Sequence, residues 1–289
     1  VVKTAEGRFY AMFLRVLPDV VEDERIVLID IDDPAIEAIG SWPIGRNVAA
    51  DSLTLLRELG TRSIVFDIEY VDTSPRGVNV RVLNQEIPEV FTDELGRVKQ
   101  TTRDLFSALQ SGQISVDDLE FFGPQLLNMT DQAREALIAE VQKVARDNDE
   151  YLGQTAAFFG DAYFTVNMQE RPNEEVSEDR REYVTENVAV EAEISGDDPF
   201  KQAAGIQPAI SPILTRGQGA GFPNVFPDPD GVRRRIDLLY GFRDTYVLQL
   251  AVAPLYDWLQ EPNLVVRGNS LVMEEAVLPD GTTTDIRVP

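Results

Sequence analysis

The sequence predicts an α/β fold: a central sheet with a parallel core and flanking helices, a β-hairpin in the C-terminal part, and a mostly helical insertion. Three observations lead there. Two short, continuously apolar runs with acids at their ends, Arg25 to Asp32 and Ser63 to Ile68, read as strands buried on both faces. Between them Val48, Leu53, Leu55, Leu56 and Leu59 recur at helical spacing up to Gly60, with Asn47 as the expected cap, so strand, crossover helix and strand form one unit. Further on, Asp228-Pro229-Asp230-Gly231 is a strong hairpin turn.

The remaining elements follow in order. Phe9, Met12, Phe13, Val16, Leu17 and Val20 predict an amphipathic helix over residues 1–20, ended near Pro18. Residues 72–150 are polar and carry only short periodic pieces, Thr102 to Leu109 and Asp131 to Ala145, which reads as a helical insertion because so long a loop without structure is improbable. Helix is expected to continue from Asp149 to Phe159, with a strand from Ala162 to Met168. Residues 169–198, nearly free of large aliphatics and rich in Glu, read as an acidic, exposed excursion. After the turn at Asp228, Val232 to Tyr240 is expected as a returning strand, Tyr246 to Leu259 as a helix and Ser270 to Val277 as a closing strand. No internal repeat is visible, and the 289 residues are expected to form a single domain.

Composition narrows the chemistry. With 26 Lys and Arg against 50 Asp and Glu the formal charge is −24, the wrong sign for nucleic acid or for anionic lipid headgroups. There is no Cys, which removes disulfides, thiolate nucleophiles and Cys-based metal sites, and no His, which removes Ser-His-Asp catalysis and His general bases. No catalytic residue, metal site or cofactor is expected. No window resembles a signal peptide or a membrane span; any span is expected outside the stretch from Val1 to Pro289, whose ends look like the limits of a piece of a larger protein.

Charged residues still gather in the pattern. Asp30, Asp32 and Asp67 lie at or near the C-terminal ends of the two expected strands, the edge of an open α/β sheet where ligands bind. Like charges placed close together need a cation, which Arg46 at the start of the crossover helix, or an Arg of the 233–235 run, can supply. The group is either an internal salt-bridge lock or the lining of a pocket. Asp32, Trp42, Arg46, Asp67 and Arg234 are the candidate residues, Trp42 as an apolar wall and Arg234 as a second cation.

Other motifs are weaker. A strand ending Asp30-Ile31-Asp32 is also how haloacid-dehalogenase-like phosphotransferases begin, with magnesium on the phosphate, but Pro34 stands where that family expects Thr or Val and no later motif set is present. Asp228-Pro229-Asp230-Gly231 is no calcium loop, because the twelfth position is Leu239. Gly217, Gly219 and Gly221 lack dinucleotide-loop spacing.

Three blocks in order carry a resemblance. They are Leu28-Ile29-Asp30-Ile31-Asp32 followed by Gly40-Ser41-Trp42-Pro43-Ile44-Gly45-Arg46; then Leu53 to Leu59, Gly60 and Phe66-Asp67; then Gly219-Ala220-Gly221-Phe222-Pro223-Asn224-Val225 and Pro227-Asp228-Pro229-Asp230-Gly231-Val232-Arg233-Arg234. In these blocks the chain resembles the second type of CHASE domain, the cyclase/histidine-kinase-associated sensory extracellular domain. It departs in the length of residues 72–150, in the acidic stretch after Met168 and in Ile44, where an aromatic is common.

The resemblance implies an extracytoplasmic sensory input, on the outer face of the bacterial inner membrane, to a transmembrane signalling protein. The N-terminal helix would lead from a membrane span. The implied output is a cytoplasmic class III adenylate cyclase ahead of a sensor kinase, so the segment itself has no catalysis. The implied partners are an unknown small molecule or a physical stimulus, and a second copy, since cyclase outputs work as dimers; a homodimer is expected in the parent protein. A cell-envelope binding module is the alternative that shares the acidity and the export.

Overall fold

The structure is a computed structural model describing residues 9, 10, 12, 13, 16, 17, 21–40, 42–196, 198–228, 230–268 and 270–288. The chain divides into two units, one formed by Val1–Ser74 with Asp149–Pro289 and the other by Pro75–Asn148.

The first unit opens with helices α1 (Asp33–Ile39) and α2 (Arg46–Glu58), then strand β1 (Ser63–Val65). After the second unit it resumes with α5 (Asn148–Phe159, whose first residue belongs to the second unit), β4 (Asp161–Gln169) and α6 (Glu178–Asn187). The short strands β5 (Glu193–Ile194), β6 (Gln202–Ala203) and β7 (Gly205–Pro208), the turn of helix α7 (Ser211–Leu214) and β8 (Gly219–Gly221) follow. The chain closes with β9 (Leu239–Phe242), β10 (Thr245–Leu248), α8 (Ala253–Trp258), β11 (Asn263–Arg267), β12 (Ser270–Val277) and β13 (Thr283–Val288).

Strand β4 is the hub. Its first half takes β1 on one register (Ile64 opposite Ala162) and β8 on another (Phe164 opposite Ala220), both parallel. Its second half pairs antiparallel with β7, Val166 opposite Pro208. Because strands lie on both sides and helices cover the faces, Ala162, Tyr163, Phe164, Thr165 and Val166 are all buried, a continuous run rather than an alternation. Ala50 and Leu53 of α2 and Leu152, Ala156 and Phe159 of α5 pack on this core with Phe164, Ile206 and Phe222. A second core, with Leu239, Leu248, Leu264, Leu271 and Met273, belongs to the sheets β10-β9-β6 and β13-β12-β11-β5. Glu275, at φ 59°, marks the bulge between Met273 and Ala276 in β12.

The close spacing of Gly217, Gly219 and Gly221 has a packing cause. A Cβ on Gly221 would stand 2.6 Å from the Leu250 Cα, and one on Gly217 would stand 2.7 Å from the Phe164 ring. Asn224 then replaces a strand that has left the sheet. Its Oδ1 accepts from the Met168 N–H at 2.8 Å and its Nδ2 donates to the Met168 carbonyl at 3.0 Å, so a side chain completes the ladder of β4.

The second unit, Pro75–Asn148, is mostly helical. Strands β2 (Gly77–Val78) and β3 (Ala145–Arg146) pair antiparallel at its base, and a π-helical turn, Val82–Glu86, leads into α3 (Ile87–Gln110), which packs against α4 (Leu119–Gln142). Val82 and Ala133 are buried there, and Glu140, also buried, pairs with Lys143 at 2.8 Å.

Several expectations need correction. The run Arg25 to Asp32 is not a strand: Ile26, Val27, Leu28 and Ile29 are 80, 75, 90 and 61% exposed, and β1 pairs with β4 alone among the described residues. An apolar run specifies a strand only when a neighbour supplies the other half of the ladder, and none does here. Helix α2 is preceded by Gly45 at the cap position rather than capped by Asn47. Residues 169–198 are not merely an excursion, because α6 lies within them and buries Val184, with Val176 buried beside it. The turn at Asp228 exists, its amide donating to the Val232 carbonyl at 2.9 Å, but the strand begins only at Leu239 because Arg234 folds back onto the turn. The expected helix from Tyr246 is strand β10 followed by the shorter α8; Thr245-Tyr246-Val247 suits a ladder opposite β9. Of the N-terminal helix, residues 9, 10, 12, 13 and 16 are helical and exposed; Pro18, Val20 and the rest of 1–20 not named above lie outside the described residues.

Candidate functional site

Arg46, the first residue of α2, is 7% exposed and sits where a guanidinium needs a complete set of acceptors. Its Nη1 donates to Oδ1 of Asp149 and its Nη2 to the carbonyl of Asp72. Asp149, in the first turn of α5, also accepts from the Ser74 amide, at 3.1 Å on Oδ1 and 3.0 Å on Oδ2, and from the Ser74 hydroxyl. An acid at this position also suits the positive end of the helix dipole. The Arg46 guanidinium stands 5.4 Å from the centre of the Tyr70 ring. Tyr70 packs edge-on to Phe66 and Phe164, and burial pushes its phenol up to about 12, against the pull of Arg46. The arrangement is a buried, mutually satisfied polar knot on the surface of the hydrophobic core.

The other candidates lie apart from it. Asp32 caps α1, accepting from the Ala35 amide at 2.9 Å. Trp42 is 62% exposed, with a cis peptide bond to Pro43. Asp67 is exposed just beyond β1. Arg234 serves its own turn, with Nη1 3.0 Å from Oδ2 of Asp228 and Nη2 2.8 Å from Oδ2 of Asp230. Those bonds hold the Asp230 carboxyl down at about 2. No hydrogen bond or ion pair joins any two of the five residues among the described ones, and no group of three or more acids converges there as a metal site.

The partner of Arg46 is therefore Asp149, which the sequence reading passed over together with Ser74 and Tyr70. One signal was present: Asp149 opens the helix that returns from the insertion, as Arg46 opens the helix that precedes it.

The chain is a member of the CHASE2 domain family, whose model matches residues 1–287. CHASE2 domains are extracellular sensory domains, and the segment is accordingly not catalytic. No curated protein and no solved structure matches the chain. No helix among the described residues is long and apolar enough to cross a membrane.

Proposed function

We propose that the chain is the extracytoplasmic input of a transmembrane bacterial signalling protein whose output is a cytoplasmic class III adenylate cyclase, working as a homodimer. The observation that carries this reading is the family match over residues 1–287. The Arg46–Asp149 knot supports the sensory role in a physical way. A buried ion pair that also bonds the Asp72 carbonyl and the Ser74 amide gives one arrangement of α2, α5 and residues 72–74 a preference over loosened ones, and a signal must discriminate between such states to shift their balance.

Two measurements on the parent protein test the proposal. The 289 residues contain no Cys, so a cysteine at exposed Val116, compared with the same protein without it, reports the side of the membrane on which this domain lies. A membrane-impermeant maleimide labels it in intact spheroplasts if the domain is outside; labelling only after lysis overturns the location. Arg46→Glu changes cyclic AMP output in a cyclase-deficient host if the knot is part of the switch. A variant that folds and signals like the parent removes it from the mechanism.

A further inference from the structure

A cavity of about 390 Å³ opens in the first unit, lined by Asn173, Glu174, Arg181, Gly205, Phe242 and Arg243 among others. That volume is within the range of small-molecule sites. Two guanidiniums border it and share one carboxylate. Oε2 of Glu178 accepts from Nη1 of Arg181 at 2.8 Å, and Oε1 accepts from Nη2 of Arg243 at 2.5 Å. Arg181 also donates through Nη2 to the Asn173 carbonyl at 2.6 Å, which fixes its fork at the cavity wall. Glu178 is itself half-exposed, so nothing about burial demands two arginines around it.

The backbone gives a second and independent observation. Phe242 pairs with Thr245, so Arg243 and Asp244 form a two-residue hairpin loop. Arg243 has φ 57°, and Asp244 is not in the positive-φ region. A two-residue hairpin with only its first loop residue at positive φ is the turn in which glycine takes that place. An arginine there works against the turn; it lines the cavity, with its guanidinium on Glu178 and 5.3 Å from the centre of the Phe242 ring.

We propose that this cavity is a binding site for a small monocarboxylate, held between the guanidiniums of Arg181 and Arg243, with Glu178 as the internal carboxylate that the ligand displaces. Paired guanidiniums match the two oxygens of a carboxylate, as Glu178 already shows. Phe242, Ala203 and Ala204 supply an apolar wall for the rest of the molecule, and Glu174 disfavours anions of higher charge. Displacement frees the first turn of α6, where Glu178 sits, and so gives the ligand a handle on the fold. The site deepens the sensory reading by naming a ligand class, but its test is made on the 289-residue chain alone and is separate from where the parent protein places it.

The experiment titrates propionate into the protein and follows the amide resonances of Ala204 and Gly205, with succinate and inorganic phosphate as comparators. Saturable shifts are expected, tightest for propionate. Arg243→Gly should weaken binding by about tenfold or more while keeping or raising the thermal midpoint, because glycine relieves the positive φ. Arg181→Gln should weaken it similarly, and Glu178→Gln should strengthen it by removing the internal competitor. The site is overturned by an absence of saturable shifts up to about 50 mM, or by equal affinity in Arg243→Gly and the parent. Tighter binding of phosphate or succinate overturns the monocarboxylate class.

Discussion

Arg46 and Asp149 lie 103 positions apart and meet as a buried ion pair, each side chain under a tenth exposed. The pair ties the first turn of α2 to the first turn of α5, the helix that returns from the insertion. Neither charge has water to fall back on, so its effect on stability depends on keeping both partners.

Arg46→Ala or Asp149→Asn should each destabilise the first unit by about 3–5 kcal/mol, since each leaves an uncompensated buried group. Replacing both together, as Arg46→Ala with Asp149→Asn, should cost less than the sum. Urea unfolding of the four proteins checks this; strict additivity would show that the two residues do not act as a pair.

Asn224→Ala removes the acceptor and donor that complete β4 at Met168. A loss of about 1–3 kcal/mol is expected for the orphaned backbone groups. Hydrogen exchange at the Met168 amide should speed up more than at Val166, which stays within the strand.

Gly221→Ala should destabilise by about 1–3 kcal/mol, because the obstacle is the Leu250 backbone, which cannot rotate aside. Gly96→Ala, in α3 with open space around it, should be neutral or stabilising. Thermal unfolding of both variants distinguishes a packing requirement from a general intolerance of alanine.

Leu28 and Leu53 make a direct contrast between the exposed run and the core. Leu53→Ala should cost about 2–5 kcal/mol, whereas Leu28→Ala should stay within about 0.5 kcal/mol. Equal costs in chemical denaturation would mean that the run from Ile26 to Ile29 is packed after all.

Asp230 titrates at about 2 instead of its ordinary 3.8, chiefly because of the hydrogen bonds from Arg234. A depressed carboxyl contributes its stabilisation above the unfolded value, and that contribution is lost as pH falls through the folded one. The turn should therefore loosen between about pH 4 and pH 2. Carboxyl-carbon NMR should place the Asp230 midpoint near the lower figure, and Arg234→Gln should return it to the ordinary carboxylate range.

The parts of the fold that could be read from sequence are those where pattern and pairing agree. The run Ala162 to Met168 is apolar apart from Thr165 and Asn167 and has strands on both sides, so its pattern and its place coincide. The run Ile26 to Ile29 carries the same pattern without a neighbour, and pattern alone does not create one. Tyr246 to Leu259 shows the opposite difficulty: its apolar spacing as a whole suits a helix, but its first residues, β-branched and aromatic, take the ladder with β9 instead. Within the candidate site, Arg46 stands out as a cation at a helix start, but the one signal for Asp149, its place in the first turn of the returning helix, does not say that the two helix starts meet. Arg234 was read as reaching toward the sheet, whereas the nearest acids, in its own turn, claim it first.

The two ends of the insertion leave from almost one point, since Ser74 donates to Asp149 through both its amide and its hydroxyl. A loop whose stems are already clasped pays little for its length, as closure entropy grows only slowly with each doubling. The stem is thus a natural graft point: residues 75–148 can be exchanged for a short linker, or for a foreign domain with adjacent termini, while the host sheet keeps its own bonds. A reporter protein inserted between those two residues should fold without disturbing the strand order around β4.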